Sequence, residues 1–417
     1  MSVLHAPGSD LVVDGRPDGV PDPGVAEVAR LVAVLHEVTD PRKVRGIRFR
    51  VGTVLAVMVF SVLAGARNFR EIGDRAADLP DQLLGQAGCP VHPLTGRPVA
   101  PSEPTMRRMA HDVDADAADR RVGAWLHTQA AAAAIAAGCG ADAGADAGLI
   151  GLAMDGRVIR NTIAPGGAAG GEIKLFSALL HDEAIVIAQL RIPETTNETT
   201  QVQALLADTD LTGMVVTGDA AHAQHATAGH IALERSGHYA LTVKGNQPGL
   251  LTRIATALPP AAPGTEHHVE TDTSKGRVVR RAIWVAPADG VEFPGAAQVF
   301  RLRRDTFDHE GTRLSKEIVH GVTSMNTTQA GPAQIADLVR RHWSIENRSH
   351  WVRDVVYGED HQHAYAGTGA HTMATLRNLA LGLLRLAGIT KIKRTLERIA
   401  ADRTRIFPII ATAIGPT

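Results

Sequence analysis

The sequence predicts an α/β protein in which a mixed-sheet core with a β-rich insertion follows an all-helical amino-terminal region. Three observations support this class. Helical periodicity runs through the first third of the chain, and strand-like runs that later alternate with helices follow a glycine- and alanine-rich stretch. A second group of strand-like runs then precedes the closing helices. Three successive strands followed by alternation predict an antiparallel front section and parallel later strands.

Composition divides the chain into five segments. Pro, Gly and Asp dominate the first, which predicts a disordered tail, and Gly, Ala and Asp make up the third, which predicts a linker. The predicted segments are the tail at 1–25, the helical domain at 26–137, the linker at 138–148, the α/β domain at 149–390 with its insertion at about 265–326, and a basic helical tail at 391–417.

The helical domain contains the longest apolar stretch of the chain, Val51 to Ala66. A membrane-spanning helix needs about 20 apolar residues, so this stretch predicts a buried helix. Thr105 to Ala137 ends in an alanine run, which favours helix.

The α/β domain has short runs of apolar and β-branched residues bounded by turn residues. The predicted strands are Leu149–Met154, Ile173–Leu180, Ala184–Ile192, Met214–Thr217, Tyr239–Val243 and, in the insertion, Val278–Val285, Val299–Arg304 and Ile318–Val322. The predicted helices are Glu198–Ala207, His222–Arg235, Gly249–Ala257 and a group between Ala333 and Gly388.

Composition excludes several classes of protein. With 44% hydrophobic and 21% charged residues in a chain of 417, the protein is neither disordered nor fibrous. Two cysteines cannot make the disulfide framework of a small secreted protein. No signal peptide opens the chain, so we expect a cytoplasmic protein with no membrane association.

The net charge of −1 conceals a separation of charge along the chain. No acid interrupts the basic side chains between Arg42 and Arg70, and a second basic run lies between Arg385 and Arg405. Such runs favour contact with phosphates, although a solvated surface is the commoner explanation for a charge run taken alone.

Three carboxylates occupy positions where the pattern predicts burial. Asp155 and Asp219 each follow an apolar strand-like run, and ligand crevices form at the carboxyl ends of central strands. Glu346 lies about 20° from Ile335 on a helical wheel, on the apolar stripe. Acids also end strands as turn residues, and a structural pair of Glu346 with His342 or Arg353 remains an alternative.

The three acids are too far apart in sequence to form a local metal loop, so only the tertiary fold could bring them together. If they converge, oxygen ligands without cysteine favour Mg²⁺ or Mn²⁺ over Zn²⁺. Two such ions can bind the attacking and leaving oxygens of a phosphoryl displacement.

At this point the sequence resembles the ISAs1 family of insertion-sequence transposases, which are DDE enzymes with a ribonuclease-H-like core. The resemblance extends from Asp40 to about Leu386. Its motifs are Asp40-Pro-Arg-Lys-Val-Arg-Gly, Leu63-Ala-Gly-Ala-Arg-Asn-Phe, Met154-Asp-Gly-Arg, Thr196-Asn-Glu, Thr217-Gly-Asp-Ala, Lys244-Gly-Asn-Gln, His342-Trp-Ser-Ile-Glu-Asn-Arg-Ser-His-Trp-Val-Arg-Asp and Gly358-Glu-Asp.

The resemblance implies that Asp155, Asp219 and Glu346 are the catalytic triad and bind two Mg²⁺ or Mn²⁺ ions. It implies strand cleavage at terminal inverted repeats, strand transfer into target DNA, and a homodimer that holds two ends. The residues that we expect to contact DNA are Arg42, Lys43, Arg45, Arg48, Arg50, Arg157, Lys244, Asn246, Gln247 and Arg353. For Lys244, Asn246 and Gln247, a simple polar turn is an equal alternative.

This sequence departs from the family pattern at several positions. Arg157 stands where a lysine is usual after the Asp-Gly pair. The related Tyr-Arg-Glu-Lys signature falls on Val339, His342, Glu346 and Arg353, of which only the glutamate is identical.

The remaining signals have simpler explanations. We expect Trp343 and Trp351 to be core anchors rather than base-stacking platforms, and Gly166–Gly171 to be a turn. Two alternative functions stay open: a catalytically inactive DNA-binding remnant of a transposase, and a zinc hydrolase. The zinc ligands of the hydrolase would come from His222, His225, His230, His361 and His363, although packing or surface roles suit these histidines better.

Overall fold

The computed structural model describes residues 24–45, 47–136, 148–162, 172–262, 264–274 and 276–415. Three predictions concern segments that lie largely outside these ranges. They are the disordered tail at 1–25, the linker at 138–148 and the turn at Gly166–Gly171.

The amino-terminal lobe is helical, as predicted. Its helices are α1 (Val25–His36), α2 (Val51–Leu63), α3 (Phe69–Ala77), α4 (Asp81–Gln86), α5 (Glu103–Asp112) and α6 (Ala115–Ala136). Every residue of α2 is buried, which explains why the apolar stretch has no polar face. A helix that is apolar all round belongs in the centre of a helical lobe.

A single mixed sheet forms the second half of the fold. Its strands are β1 (Ile150–Ile159), β2 (Ile173–Leu180), β3 (Val186–Ile192), β4 (Met214–Gly218), β5 (His238–Val243), β6 (His268–Ser274), β7 (Arg277–Pro287), β8 (Gln298–Phe307) and β9 (Arg313–Thr323). The strand order is β3-β2-β1-β4-β5-β9-β8-β7-β6. The first three strands pair antiparallel, whereas β4 and β5 run parallel to β1. This is the predicted ribonuclease-H-like mixed sheet.

The β-rich insertion continues that sheet instead of forming a separate unit. Its last strand, β9, pairs antiparallel with β5, and β8, β7 and β6 follow outward as a meander. The sequence did not predict β6, because His268–Ser274 is polar and lacks the apolar alternation that marks a strand with one buried face.

The remaining helices connect the strands or close the chain. They are α7 (Val202–Leu206), α8 (His225–Gly229), α9 (Pro248–Ala257), α10 (Pro332–Arg341), α11 (Trp351–Val355), α12 (Gly369–Leu386), α13 (Ile392–Ala401) and α14 (Ile406–Ile414). α12 is almost wholly buried and packs against α2 and α6. The predicted basic tail is therefore packed structure, because α14 lies against α1 and α12.

The helical lobe and the sheet share one hydrophobic core. α6 crosses β3 so closely that a side chain at Gly123 would clash with the carbonyl oxygen of Ile187. The buried Asp119 of α6 accepts a hydrogen bond from Gln189 of β3 at 3.0 Å and lies 2.6 Å from Nε2 of His371 on α12. These contacts fix the helical lobe against β3, which is an edge strand of the sheet.

None of the helices in the described ranges combines the length and the apolar character that a membrane crossing requires.

Candidate metal centre

The parallel pairing of β1 with β4 brings two of the predicted acids together. The register aligns Ala153 of β1 with Thr217 of β4. Asp155 and Asp219 each come two residues later, so they lie side by side just beyond the paired residues. Neighbouring strands lie about 4.8 Å apart. The sequence suggested that Asp155 ends its strand. In the structure it does not, because β1 continues in a hairpin with β2 as far as Ile159.

The third acid reaches the same place from an irregular helical segment. α10 ends at Arg341. The backbone amides of Trp343 and Ile345 then donate to carbonyl oxygens three residues earlier, which tightens the chain. A π-helical turn follows at Ile345–His350. A helical wheel that assumes one continuous α-helix therefore fails here. The prediction that Glu346 is buried is wrong, since its side chain is 61% exposed.

The structure also corrects the interpretation of the two tryptophans. Trp343 is 58% exposed and Trp351 is 53% exposed. Neither is a core anchor, because more than half of each side chain is exposed to solvent.

One half of the centre, which we call the Asp155 group, contains Asp155, Glu346 and His350. Their ligand atoms lie within 4.8 Å of one another. Nδ1 of the buried His350 lies 3.2 Å from a Glu346 oxygen and 3.5 Å from an Asp155 oxygen. Because His350 follows Glu346 by one helical turn, its ring holds the carboxylate of Glu346 towards the strand that carries Asp155.

The other half, the Asp219 group, contains Glu198, Asp219 and His222, again with ligand atoms within 4.8 Å of one another. Glu198 begins the 3₁₀ turn after β3. It approaches β1 only because position 156 is glycine: a Cβ atom there would lie 1.9 Å from an oxygen of Glu198. Glu198 therefore belongs to the Asp219 group and also lies beside the strand that carries Asp155.

Burial and the crowding of carboxylates raise the pKa values of two of the acids. Burial, and then the charges of Glu198 and Asp219, raise the pKa of Asp155 to about 7, and Glu346 contributes in the same direction against a hydrogen bond from the Gly156 amide. Burial and Asp219 raise the pKa of Glu198. A divalent cation would relieve this repulsion, and the donor set of carboxylates with imidazoles fits such an ion.

The pKa of Glu346 shifts in the opposite direction. The hydrogen bond with His350 holds it below its usual value, and the charge of Arg157 adds to this effect. Glu346 thus stays ionised and available as a ligand when Asp155 is partly protonated.

A buried ionic network lies beneath the centre. Glu359 is fully buried and pairs with Arg353 at 2.9 Å, Arg377 at 3.0 Å and Arg157 at 3.1 Å. Burial alone would raise the pKa of Glu359, but the three guanidinium groups lower it to about 2. Arg157 also pairs with Asp354 and donates to the backbone oxygen of His350 at 3.3 Å. β1 is thereby tied to the segment that bears Glu346.

This network corrects the prediction that Arg353 contacts DNA. Its side chain is wholly buried and its guanidinium is occupied by Glu359 and Gln189, so no phosphate can reach it. Arg157 is likewise nearly buried. Both arginines position the metal centre from within the protein.

A second set of contacts attaches the Glu346 segment to β4. Nδ1 of His342 lies 3.2 Å from the hydroxyl of Thr217, which also lies 2.9 Å from Nε2 of His181. Burial lowers the pKa of His342 to about 4 and that of His181 to about 3. Both rings are neutral near pH 7, and they link the end of α10 to the strand that leads to Asp219.

The predicted DNA contacts of the amino-terminal region precede α2. Lys43, Arg45, Arg48 and Arg50 are exposed. Arg42 pairs with Asp40 at 2.7 Å and donates to the backbone oxygen of Phe49 at 2.6 Å. Its side chain therefore stabilises the conformation of this segment rather than extending into solvent.

The turn after β5 lies beside the loop that follows Asp219. The side chain of Asn246 donates to the Ala220 backbone oxygen at 2.7 Å, and that of Gln247 donates to Gln224 at 3.0 Å. These two amides stabilise the loop, while Lys244 is exposed.

Sequence reasoning did not assign Glu198, His222 or His350 to the centre. Glu198 belongs to the Thr196-Asn-Glu motif, His222 follows Asp219 by three residues, and His350 follows Glu346 by four. The spacings of His222 and His350 place each side chain about one helical turn from an acid, so this signal was present in the sequence, whereas Glu198 has no such spacing to any of the three acids.

The histidine-based zinc site does not form. His222 faces Glu198 and Asp219, His230 pairs with Glu234 at 2.8 Å, and the ring of His225 packs on Phe293. Within the described ranges, the groups of three or more possible ligands are the Asp155 group and the Asp219 group.

Comparison with known families identifies the chain. The profile described as "Transposase DDE domain" matches residues 147–383, and the one described as "DDE_Tnp_1-associated" matches residues 32–126. The chain belongs to the DDE transposase family. DDE transposases use divalent metal ions, and the two acidic groups could hold them.

Individual relatives of this DDE transposase have low identity but long coverage. "Putative transposase YncI" of Escherichia coli O157:H7 is 24% identical over 401 residues, which cover 92% of this chain and 95% of the relative. "H repeat-associated putative transposase YhhI" of E. coli K12 is 23% identical over 410 residues, covering 92% and 98%. A piggyBac transposase in a synaptic complex with hairpin DNA aligns over 95% of this chain and 80% of its own, with 9% identity and a TM-score of 0.37.

Proposed function

We propose that the protein is the DNA transposase of an insertion sequence of the ISAs1 type. It would cut a DNA strand at each terminal inverted repeat and join the freed 3′ hydroxyl to target DNA. The observation that carries the proposal is the convergence of Asp155, Asp219 and Glu346 from three elements that are distant in sequence.

The chemistry follows from the two groups of the centre. Divalent ions bound there, Mg²⁺ or Mn²⁺, would offset the negative charge that develops on the attacking and leaving oxygens of a phosphodiester. Asp155 and Glu346 would hold the first position, and Asp219 would hold the second. His350 orients Glu346, and the Arg157–Glu359 pair keeps β1 and the Glu346 segment at a fixed separation.

DNA would approach through exposed basic side chains. Lys43, Arg45, Arg48 and Arg50 are suited to phosphate contacts in the segment before α2, and Lys244 lies near the metal centre. We further propose that residues 26–137 form a helical transposase-associated domain and that 149–390 form the catalytic domain. A homodimer would hold the two ends, and the protein would act on nucleoid DNA in the cytoplasm.

Nicking of a supercoiled plasmid that carries the element's ends tests the activity. With Mg²⁺ or Mn²⁺, the wild-type protein should convert the plasmid to open circles. Asp155→Asn, Asp219→Asn and Glu346→Gln should each lower the rate by about 100-fold or more, because each removes a charged ligand from the transition state. The control Asp289→Asn removes an exposed turn acid and should stay within about twofold of wild type.

The same assay distinguishes an inactive DNA-binding remnant. A remnant would shift the plasmid in a gel at low salt but would produce equal nicking with the wild type and Asp219→Asn. Because Asp219 is half exposed, its substitution should leave the melting temperature close to that of the wild type, and this check excludes loss of activity through unfolding.

A further inference from the structure

His222 is an unusual buried residue. Its side chain has almost no exposed surface, and neither ring nitrogen has a hydrogen-bond partner. The ring stacks on Phe176 with centroids 5.2 Å apart and planes at 13°. Burying an imidazole with both nitrogens unsatisfied costs free energy, so the fold gains something else from a histidine here.

The free Nε2 atom points at two carboxylates. It lies 3.8 Å from an oxygen of Glu198 and 3.9 Å from an oxygen of Asp219. These distances are too long for hydrogen bonds. They do suit two ligands of one shared ion, because metal bonds of about 2.0–2.3 Å separate neighbouring ligand atoms by roughly 3–4 Å.

The surrounding glycines leave room for this arrangement. A Cβ atom at Gly218 would lie 2.9 Å from Cβ of His222, and one at Gly156 would collide with the carboxylate of Glu198. The absence of side chains at Gly218 and Gly156 thus allows His222 and Glu198 to approach Asp219.

We propose that Glu198 and His222 are metal ligands which, with Asp219, form a position of two carboxylates and one imidazole that binds Mn²⁺ in preference to Mg²⁺. An imidazole nitrogen suits first-row transition ions, and Mn²⁺ is the one among them that carboxylates also favour. The inference rests on the proposed function, because the ion involved is the one assigned there to Asp219.

Titration of the metal-depleted full-length chain with Mn²⁺ tests the proposal. Free Mn²⁺ is counted by electron paramagnetic resonance, and pulsed measurements detect nitrogen bound directly to the ion. Since His350 could give a nitrogen signal of its own, His350→Gln serves as the parent protein. In this background His222→Phe, which retains a ring on Phe176, should abolish the nitrogen coupling. It should also weaken Mn²⁺ binding at one position by about tenfold or more.

Two further variants make the result decisive. Glu198→Gln should weaken the same position while preserving the nitrogen signal, and its partly exposed side chain makes loss of folding a small risk. The control His225→Phe replaces an exposed histidine and should bind Mn²⁺ as the parent does. If His222→Phe does not fold, the binding curve of Glu198→Gln decides the question.

Failure of the inference would differ from failure of the proposed function. Unchanged nitrogen coupling and unchanged Mn²⁺ affinity in His222→Phe and Glu198→Gln, with wild-type nicking still dependent on Asp219, would overturn the inference alone. A wild-type chain that neither binds Mn²⁺ nor nicks DNA would overturn both.

Discussion

Replacing Asp155 by asparagine should stabilise the metal-free protein at alkaline pH. The folded state raises the pKa of Asp155 from 3.8 to about 7 through burial and the neighbouring carboxylates. The folded chain therefore retains a proton that the unfolded chain releases near pH 4. The contribution of Asp155 to the free energy of unfolding is therefore most favourable below about pH 4. It falls as the pH rises towards 7 and is constant above about pH 7.

The size of the effect follows from the same pKa. A rise from 3.8 to about 7 corresponds to roughly 4 kcal/mol at most. Since the side chain is 31% exposed, solvent screening reduces this figure, and we expect about 1–2 kcal/mol. Asparagine has no charge to bury, and its oxygen can still accept the hydrogen bond from the Gly156 amide.

Urea unfolding in EDTA at pH 8 and pH 4.5 measures this difference. Asp155→Asn should have a larger free energy of unfolding than the wild type at pH 8, and the difference between the two proteins should shrink at pH 4.5. Saturating Mn²⁺ at pH 8 should reverse the order, because only the wild type gains stability by binding an ion between Asp155 and Glu346. A variant that is less stable than the wild type in EDTA at pH 8 would refute the account of crowded carboxylates.

The other predictions concern the network, the glycine and the basic segment. Glu359→Gln should lower the free energy of unfolding in urea by about 3–5 kcal/mol, since it leaves buried arginines unpaired; a loss below about 1 kcal/mol would contradict this. Gly156→Ala should displace the adjacent carboxylate and reduce both Mn²⁺ binding and plasmid nicking, whereas Gly249→Ala, where a Cβ meets no atom within 4 Å, should change neither. Lys43→Ala combined with Arg45→Ala should weaken DNA binding in gel-shift titrations and reduce the slope of log affinity against log salt by about 2; an unchanged slope would exclude these phosphate contacts.

Local sequence patterns were sufficient to predict most strands of the sheet and the apolar runs that lead to two of the acids. Apolar runs that end at Asp155 and Asp219 specify two strands, and the helical connection after β3 returns the chain so that β4 pairs parallel with β1. Apolar runs and strand periodicity are properties of neighbouring residues, so they can be seen in one sequence. The polar strand β6 has no such periodicity and was missed.

The environment of Glu346 could not be predicted, because it depends on a change of helix type. The hydrogen bonds at Trp343 and Ile345 and the π-helical turn alter the direction of every side chain that follows. A helical wheel assumes a constant rotation per residue, so one local irregularity reversed the prediction for Glu346. Irregular turns of this kind occur often at functional sites.

The assignment of Arg353 to DNA failed for a different reason. A sequence displays charge but not burial, and a basic residue in a motif resembles a phosphate ligand whether it lies on the surface or in the core. The partner that occupies it, Glu359, is only six residues away, yet nothing in the sequence distinguishes a buried pair from an exposed one.

The buried network is better explained by positioning than by stability. Ion pairs in a protein interior contribute little net free energy, because the loss of hydration offsets most of their attraction. Apolar side chains of similar volume would fill the same space at no loss of stability, but they would not specify one arrangement. Arg157 lies two residues after Asp155 and donates to His350, four residues after Glu346. Asp155 and Glu346 belong to elements that no backbone pairing joins, so directional hydrogen bonds through Arg157 and Glu359 hold the two carboxylates in one arrangement.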